Sequence, residues 1–189
     1  MTQAPLALSD AEIAGIARRL DRPLVLVGLM GAGKSTVGRR LAALLDASFM
    51  DADEEIERSA NRAIAEIFEE FGEEYFRDGE RRVIARLMDE DYGVIATGGG
   101  AFVNAETRAL ILERGLAVWL DCDIDTLVKR TARRDTRPLL RDGDPREILT
   151  RLKDQRAAAY SAAPIRVVTS QGSQDITSLR ILEAVDAWL

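Results

Sequence analysis

The chain has 189 residues, with 26 basic against 32 acidic side chains and a formal net charge of −6. That length suits a single domain with a core of its own. The acidic balance argues against a general nucleic-acid surface, and no apolar run is long enough to span a bilayer. Histidine is absent, which excludes an imidazole base or a histidine-ligated metal. The single cysteine, Cys122, excludes an internal disulfide and fits a reducing compartment. Met1 to Leu8 lack the basic start and long apolar stretch of a secretory signal, so a cytoplasmic location is expected.

In chain order, Ser9-Asp10-Ala11-Glu12 reads as a capping box, and Ile13, Ile16 and Leu20 follow on one helical face. This predicts a helical extension over 9–21, packed on the domain ahead of its first strand. Pro23 then opens the apolar run Leu24 to Val27, a buried strand. The turn Gly28-Leu29-Met30-Gly31-Ala32-Gly33-Lys34-Ser35-Thr36 has the P-loop spacing, and Val37, Leu41, Leu44 and Leu45 continue it as a helix. Strand, glycine turn and helix N-terminus in that order form a phosphate cradle. Gly31, Ala32, Gly33, Lys34, Ser35 and Thr36 would surround the phosphates of a nucleoside triphosphate, with Lys34 reaching the β and γ groups and the Ser35 hydroxyl on Mg²⁺.

Ser48 to Met50 is a short second strand leading into Asp51-Ala52-Asp53. Residues 53–89 are helical in pattern with a break at Phe71-Gly72. Val94 to Thr97 is a third strand that runs into Gly98-Gly99-Gly100. A helix over 105–114, a strand over 116–120 and a helix over 124–132 follow. After an arginine-rich irregular stretch, a helix over 147–160, a strand over 165–168 and a helix over 176–189 close the chain. Cys122 follows the fourth strand as a small buried hydrophobe. Five apolar strands alternating with helices predict an α/β domain: three layers, αβα, around a five-stranded parallel sheet.

Ligands of such sheets sit beyond the carboxyl ends of the strands, and three strand ends carry unusual residues. Asp51 and Asp53 suit a metal ligand and a proton acceptor, or equally an acidic first helical turn. Gly98, Gly99 and Gly100 offer bare backbone to a ligand, or simply a turn. Arg77, after an aromatic pair, reads locally as a surface arginine paired with Glu73 or Glu80. Arg130, Arg133, Arg134, Arg137, Arg141 and Arg146 crowd one stretch broken by Pro138 and Gly143, which suits a flap that closes over phosphates or a solvated loop.

Taken together, these residues resemble the shikimate kinase family. The match is an ordered series: the P-loop, Asp51-x-Asp53-x-x-Ile56-Glu57, Ile67-Phe68 and Gly72-Glu73-x-x-Phe76-Arg77-x-x-Glu80. Gly98-Gly99-Gly100-Ala101, Arg137-Pro138-Leu139-Leu140 and Arg156-x-x-x-Tyr160-x-x-Ala163 complete it. The resemblance covers roughly residues 23 to 170 and implies a P-loop fold of the nucleoside monophosphate kinase type, with the N-terminal helix as an addition. It implies one kinase domain over 1–189, with a core of 23–131 and 145–189, a helical substrate-binding segment at 53–90 and a lid at 132–144. The implied reaction moves the ATP γ-phosphate to the 3-hydroxyl of shikimate in chorismate and aromatic amino acid synthesis, leaving ADP. On that resemblance Ser35 and Asp51 attend Mg²⁺, and Asp53 binds the acceptor hydroxyls and is the candidate base. Arg77 and Arg156 hold the shikimate carboxylate, with Gly98, Gly99 and Gly100 against the ring. Arg137 descends from the lid onto the transferring phosphate; Arg130 and the region of Ser170 and Gln171 lie near adenine. A monomer is expected, since no apolar stripe is left over. The rivals are another small-metabolite kinase such as a gluconate kinase, an adenylate-kinase-like enzyme and a non-catalytic ATP-binding relative.

Overall fold

A computed structural model describes residues 8–90, 93–132, 143–169 and 173–189. Five parallel strands, β1 (Leu24–Val27), β2 (Phe49–Asp51), β3 (Val94–Ala96), β4 (Leu116–Cys122) and β5 (Ile165–Thr169), lie in the order β2-β3-β1-β4-β5. Leu24 pairs with both Val94 and Leu116, and Val118 with Ile165, so the strands climb together and end on one rim. Burial follows position in the sheet. The central strands β1, β3 and β4 are buried along their whole length, as their unbroken apolar runs demand. The edge strand β5 alternates instead, with Arg166 and Val168 exposed.

The helices are α1 (Asp10–Arg19), α2 (Lys34–Leu45), α3 (Ala52–Ala60), α4 (Ile64–Glu90), α5 (Ala105–Arg114), α6 (Ile124–Thr131), α7 (Pro145–Tyr160) and α8 (Gln174–Trp188). None among the described residues is long and apolar enough to cross a membrane. The capping box forms as expected: Ser9 accepts from the Glu12 amide while Glu12 returns to the Ser9 amide. Helix α1 buries Ile13 and Ile16 against α2 and α8, so it extends the main core.

The helical stretch expected over 53–89 has two breaks. The one at Gly72 was legible in the sequence; there φ is +81°, which favours a residue without a Cβ. The other ends α3 at Asn61, whose left-handed backbone carries no glycine signal. Beneath the pair α3/α4 lies a satellite core of Ile56, Ile67 and Phe76, with Phe68 packed on Phe76 at 4.5 Å between ring centres. The two helices are also tied by charge. Buried Glu55 of α3 accepts from Arg86 of α4 and from Arg58 on its own helix. The hydrogen bond from Arg86 outweighs the opposing cost of burial and holds the Glu55 carboxyl below its ordinary 4.5.

A carboxyl whose value is depressed on folding adds stability above its unfolded value and loses it as pH falls through the folded one. Arg86 is 43% exposed, so screening limits the pair to roughly 1 kcal/mol. Arg86→Met should therefore lower Tm at pH 7 by about 2–4 °C. Thermal melts across pH should show that gap closing below about pH 4; a gap unchanged at pH 3 would contradict the pairing.

Candidate active site

Three strand ends meet on the carboxyl rim. At the first, β1 turns through the P-loop into α2. Gly33 occupies the N-cap with φ at +92° and no side chain to cap the helix. The first amides of α2 thus lack a side-chain cap and, with the helix dipole, favour an anion. Buried Lys34 donates to the carbonyls of Gly28 and Leu29 at 2.8 and 2.9 Å, folded back across the loop it would serve. Arg130, from α6, donates to the carbonyls of Gly31 and Ala32 at 3.4 and 3.3 Å, so its guanidinium borders the loop. Cys122 nearby is buried, and burial pushes its thiol up, in keeping with a small hydrophobe.

At the second strand end Asp51 makes contacts on two sides. Its Oδ2 accepts from the Ser35 hydroxyl at 2.6 Å. Its Oδ1 accepts from the amides of Asp53 and Glu54 at 3.0 and 3.4 Å, capping α3. One carboxylate therefore reaches the phosphate cradle on one side and fixes the start of the helix bearing Asp53 on the other. Two hard oxygen donors beside the cradle suit Mg²⁺, which takes one or two protein ligands and fills its shell with phosphate and water.

The third strand end is the glycine strip, and each of its members admits a different neighbour. A Cβ on Gly98 would stand 2.6 Å from Asp53 Oδ1 and 3.1 Å from Glu80 Oε1. One on Gly99 would stand 3.2 Å from the Met30 amide of the P-loop and 3.6 Å from the Arg156 guanidinium. One on Gly100 would stand 2.8 Å from the Arg77 guanidinium carbon. Asp53, Arg77, Arg156 and the P-loop are thus brought together around the strip.

Arg77 makes the local pairs expected of it, with Glu73 at 3.3 Å and Glu80 at 2.7 Å, yet its side chain is only 20% exposed. It packs under the strip and beside the Phe76 ring, so it faces Gly100 as well as its helical partners. The spacing anticipates its pairing with Glu80 but not that residue's burial, because a glutamate on a long charged helix reads as solvent-facing. Glu80 is 1% exposed, and its Oε1 has no hydrogen-bond partner among the described residues. Burial pushes its carboxyl up, although Arg77 pulls the other way. Arg156 and Tyr160 of α7 both donate to the Gly99 carbonyl, at 3.0 and 2.5 Å. Burial pushes the Tyr160 phenol up and keeps it a donor. Arg133, Arg134, Arg137, Arg141, Ser170 and Gln171, with most of the expected lid at 132–144, lie outside the described residues. Arg146 is described, and pairs with Asp125.

The arrangement offers a phosphate cradle, an oxygen pair for a divalent cation, a carboxylate and two guanidinium groups beside bare backbone. That is equipment for phosphoryl transfer to a small anionic alcohol. Comparison with known proteins agrees. The family model for shikimate kinase matches residues 30–186. The shikimate kinase of Novosphingobium aromaticivorans is 61% identical over 186 residues, 96% of this chain and 96% of that one. That of Caulobacter vibrioides is 55% identical, over 87% of this chain and 82% of its own. Among solved structures, shikimate kinase from Acinetobacter baumannii in complex with shikimate superposes with a TM-score of 0.85 at 37% identity, covering 90% of this chain and 97% of that one. Since both sequence relatives match along most of their length and the model reaches from the P-loop into α8, the chain belongs to the shikimate kinase family.

Proposed function

We infer that this chain transfers the γ-phosphate of ATP to the 3-hydroxyl of shikimate, giving shikimate 3-phosphate and ADP. The observation that carries the reading is the glycine strip. Its three residues touch Asp53, Arg156 with the P-loop, and Arg77 in turn, so a small polyol carboxylate could contact all of them beside a bound triphosphate. The triphosphate lies along the uncapped amides of α2, and Lys34 leaves the Gly28 and Leu29 carbonyls for the β and γ phosphates. The shikimate carboxylate sits between Arg77 and Arg156, the forked donors that match its geometry. The ring rests on Gly98, Gly99 and Gly100, and its hydroxyls face Asp53. Asp53 orients the 3-hydroxyl and accepts its proton as the oxygen attacks phosphorus. Ser35 and Asp51 would hold Mg²⁺, which when bound neutralises developing charge on the phosphate oxygens. Arg137 is proposed to cover the transferring group and Arg130 to border the nucleotide.

Because the transition state is loose, position and charge outweigh base strength. Gluconate is itself a polyol carboxylate and AMP a phosphate monoester that arginines also bind, so the acceptor is identified by turnover. ADP release assayed with shikimate, gluconate and AMP should respond to shikimate alone; turnover of another acceptor at a comparable rate would overturn the assignment.

Two variants test the roles. Asp53→Asn should lower kcat by about 100-fold or more while also raising KM for shikimate; unchanged constants would remove Asp53 from the mechanism. Gly100 has ordinary backbone angles, φ −98° and ψ −14°, so alanine there adds bulk without backbone strain. Gly100→Ala should displace Arg77 and raise KM for shikimate by about tenfold with KM for ATP held. Equal increases in both constants would mean that the strip serves folding only.

A further inference from the structure

Asp121 stands out because it interrupts the otherwise apolar strand β4, where all seven residues are buried. It shares a face with Trp119, and two cations converge on it. Lys153 of α7 reaches Oδ1 at 2.9 Å, while Arg166 of β5 reaches Oδ2 at 2.5 and 3.1 Å. Lys153 also donates to the Cys122 carbonyl at 2.8 Å. Burial opposes the charge on Asp121, but the two cations together outweigh it and keep the carboxyl below its ordinary range.

Only the carboxylate is buried, its cations being partly exposed, so the cluster is a modest source of net stability. What it adds is direction: a lysine reaching a fixed carboxylate and a fixed carbonyl sets the rotation and height of its helix. Lys153 stands three residues before Arg156 and seven before Tyr160, on the same helical face. Both of those grip the Gly99 carbonyl. The far side of the network closes the circuit, since Arg166 lies 4.7 Å over the Trp119 ring, and Trp119 stacks on Tyr160 at 5.7 Å. Helix α7 is thereby held at two points, the end of β4 and the glycine strip.

We propose that Lys153, through Asp121, is a positioning residue for the acceptor site: it seats α7 so that Arg156 and Gly99 stand at the right distance from the P-loop. This rests on the reading of Arg156 as a carboxylate ligand. Lys153 need not touch shikimate or ATP, and its effect falls on the acceptor side because α7 contributes no residue to the phosphate cradle.

The test compares the wild type with Lys153→Met, Lys153→Arg and the double variant Asp121→Asn/Lys153→Met. Lys153→Met should raise KM for shikimate about tenfold, within the roughly hundredfold that an ångström of misplacement can cost. KM for ATP should stay within about twofold. Lys153→Arg, which keeps the charge, should recover most of the shikimate KM. Lys153→Met leaves the buried Asp121 with Arg166 as its remaining cation; the double variant removes that half-compensated charge, so it should regain most of the thermal stability lost in Lys153→Met while keeping the high shikimate KM. A shikimate KM that is unchanged in Lys153→Met, that rises in step with the ATP KM, or that recovers with stability in the double variant would overturn the proposal. Amide exchange over residues 149–160 without substrate reads the anchoring separately. It should quicken in Lys153→Met and not in Lys153→Arg, and an unaltered rate in Lys153→Met would also overturn it. Wild-type protein that fails to phosphorylate shikimate would instead overturn the functional reading, leaving exchange to decide whether Lys153 seats the helix.

Discussion

Three residues without side chains let the candidate site come together. Gly98 to Gly100 follow β3 at the carboxyl rim; the space where a Cβ would stand is taken at Gly98 by an Asp53 carboxylate oxygen and at Gly100 by the Arg77 guanidinium, and at Gly99 it is tight against the Met30 amide of the P-loop. A methyl at Gly98 or Gly100 would push against Asp53 or Arg77, and one at Gly99 would press on the P-loop backbone. The remainder of the fold serves to bring those groups to the strip: β1 delivers the P-loop, α3 delivers Asp53, α4 delivers Arg77 and α7 delivers Arg156.

Each delivery depends on a buried or partly buried polar contact. Asp51 caps α3 with one oxygen and accepts from Ser35 with the other, so the start of the acceptor-side helix is fixed against the phosphate-side helix. Glu80 holds Arg77 from below. Tyr160 and Arg156 share the Gly99 carbonyl. These contacts are short, and their cost is limited because nearly every buried polar atom involved has a partner. The exposed oxygen-to-guanidinium pairs across the surface, such as Arg39 with Glu54 at 3.0 Å, contribute little by comparison.

Much of this was legible in the sequence because the signals were local. The P-loop spacing, the capping box at Ser9 and Glu12, the apolar runs of β1, β3 and β4 and the break at Gly72 each depend on residues within a few positions of one another. The sheet order explains why the strand-end residues converge. What sequence could not reach was burial of charge. Glu80, Asp121 and Lys153 sit on patterns that read as solvent-facing or as plain strand, and only the partner from a distant element shows otherwise. Arg77 illustrates the boundary well: its helical pairing with Glu73 and Glu80 was foreseeable from spacing, whereas its packing under Gly100 depends on contact across a loop more than twenty residues away. The end of α3 at Asn61 was likewise hidden, since a left-handed asparagine leaves no glycine or proline mark.

The account turns on where the acceptor's carboxylate sits. A crystal structure with shikimate and a non-hydrolysable ATP analogue bound together would measure it directly. The carboxylate should lie between the Arg77 and Arg156 guanidinium groups, with the ring against Gly98 to Gly100 and the 3-hydroxyl on Asp53, facing the γ-phosphate. A carboxylate bound away from both arginines, or a 3-hydroxyl turned from Asp53, would contradict it.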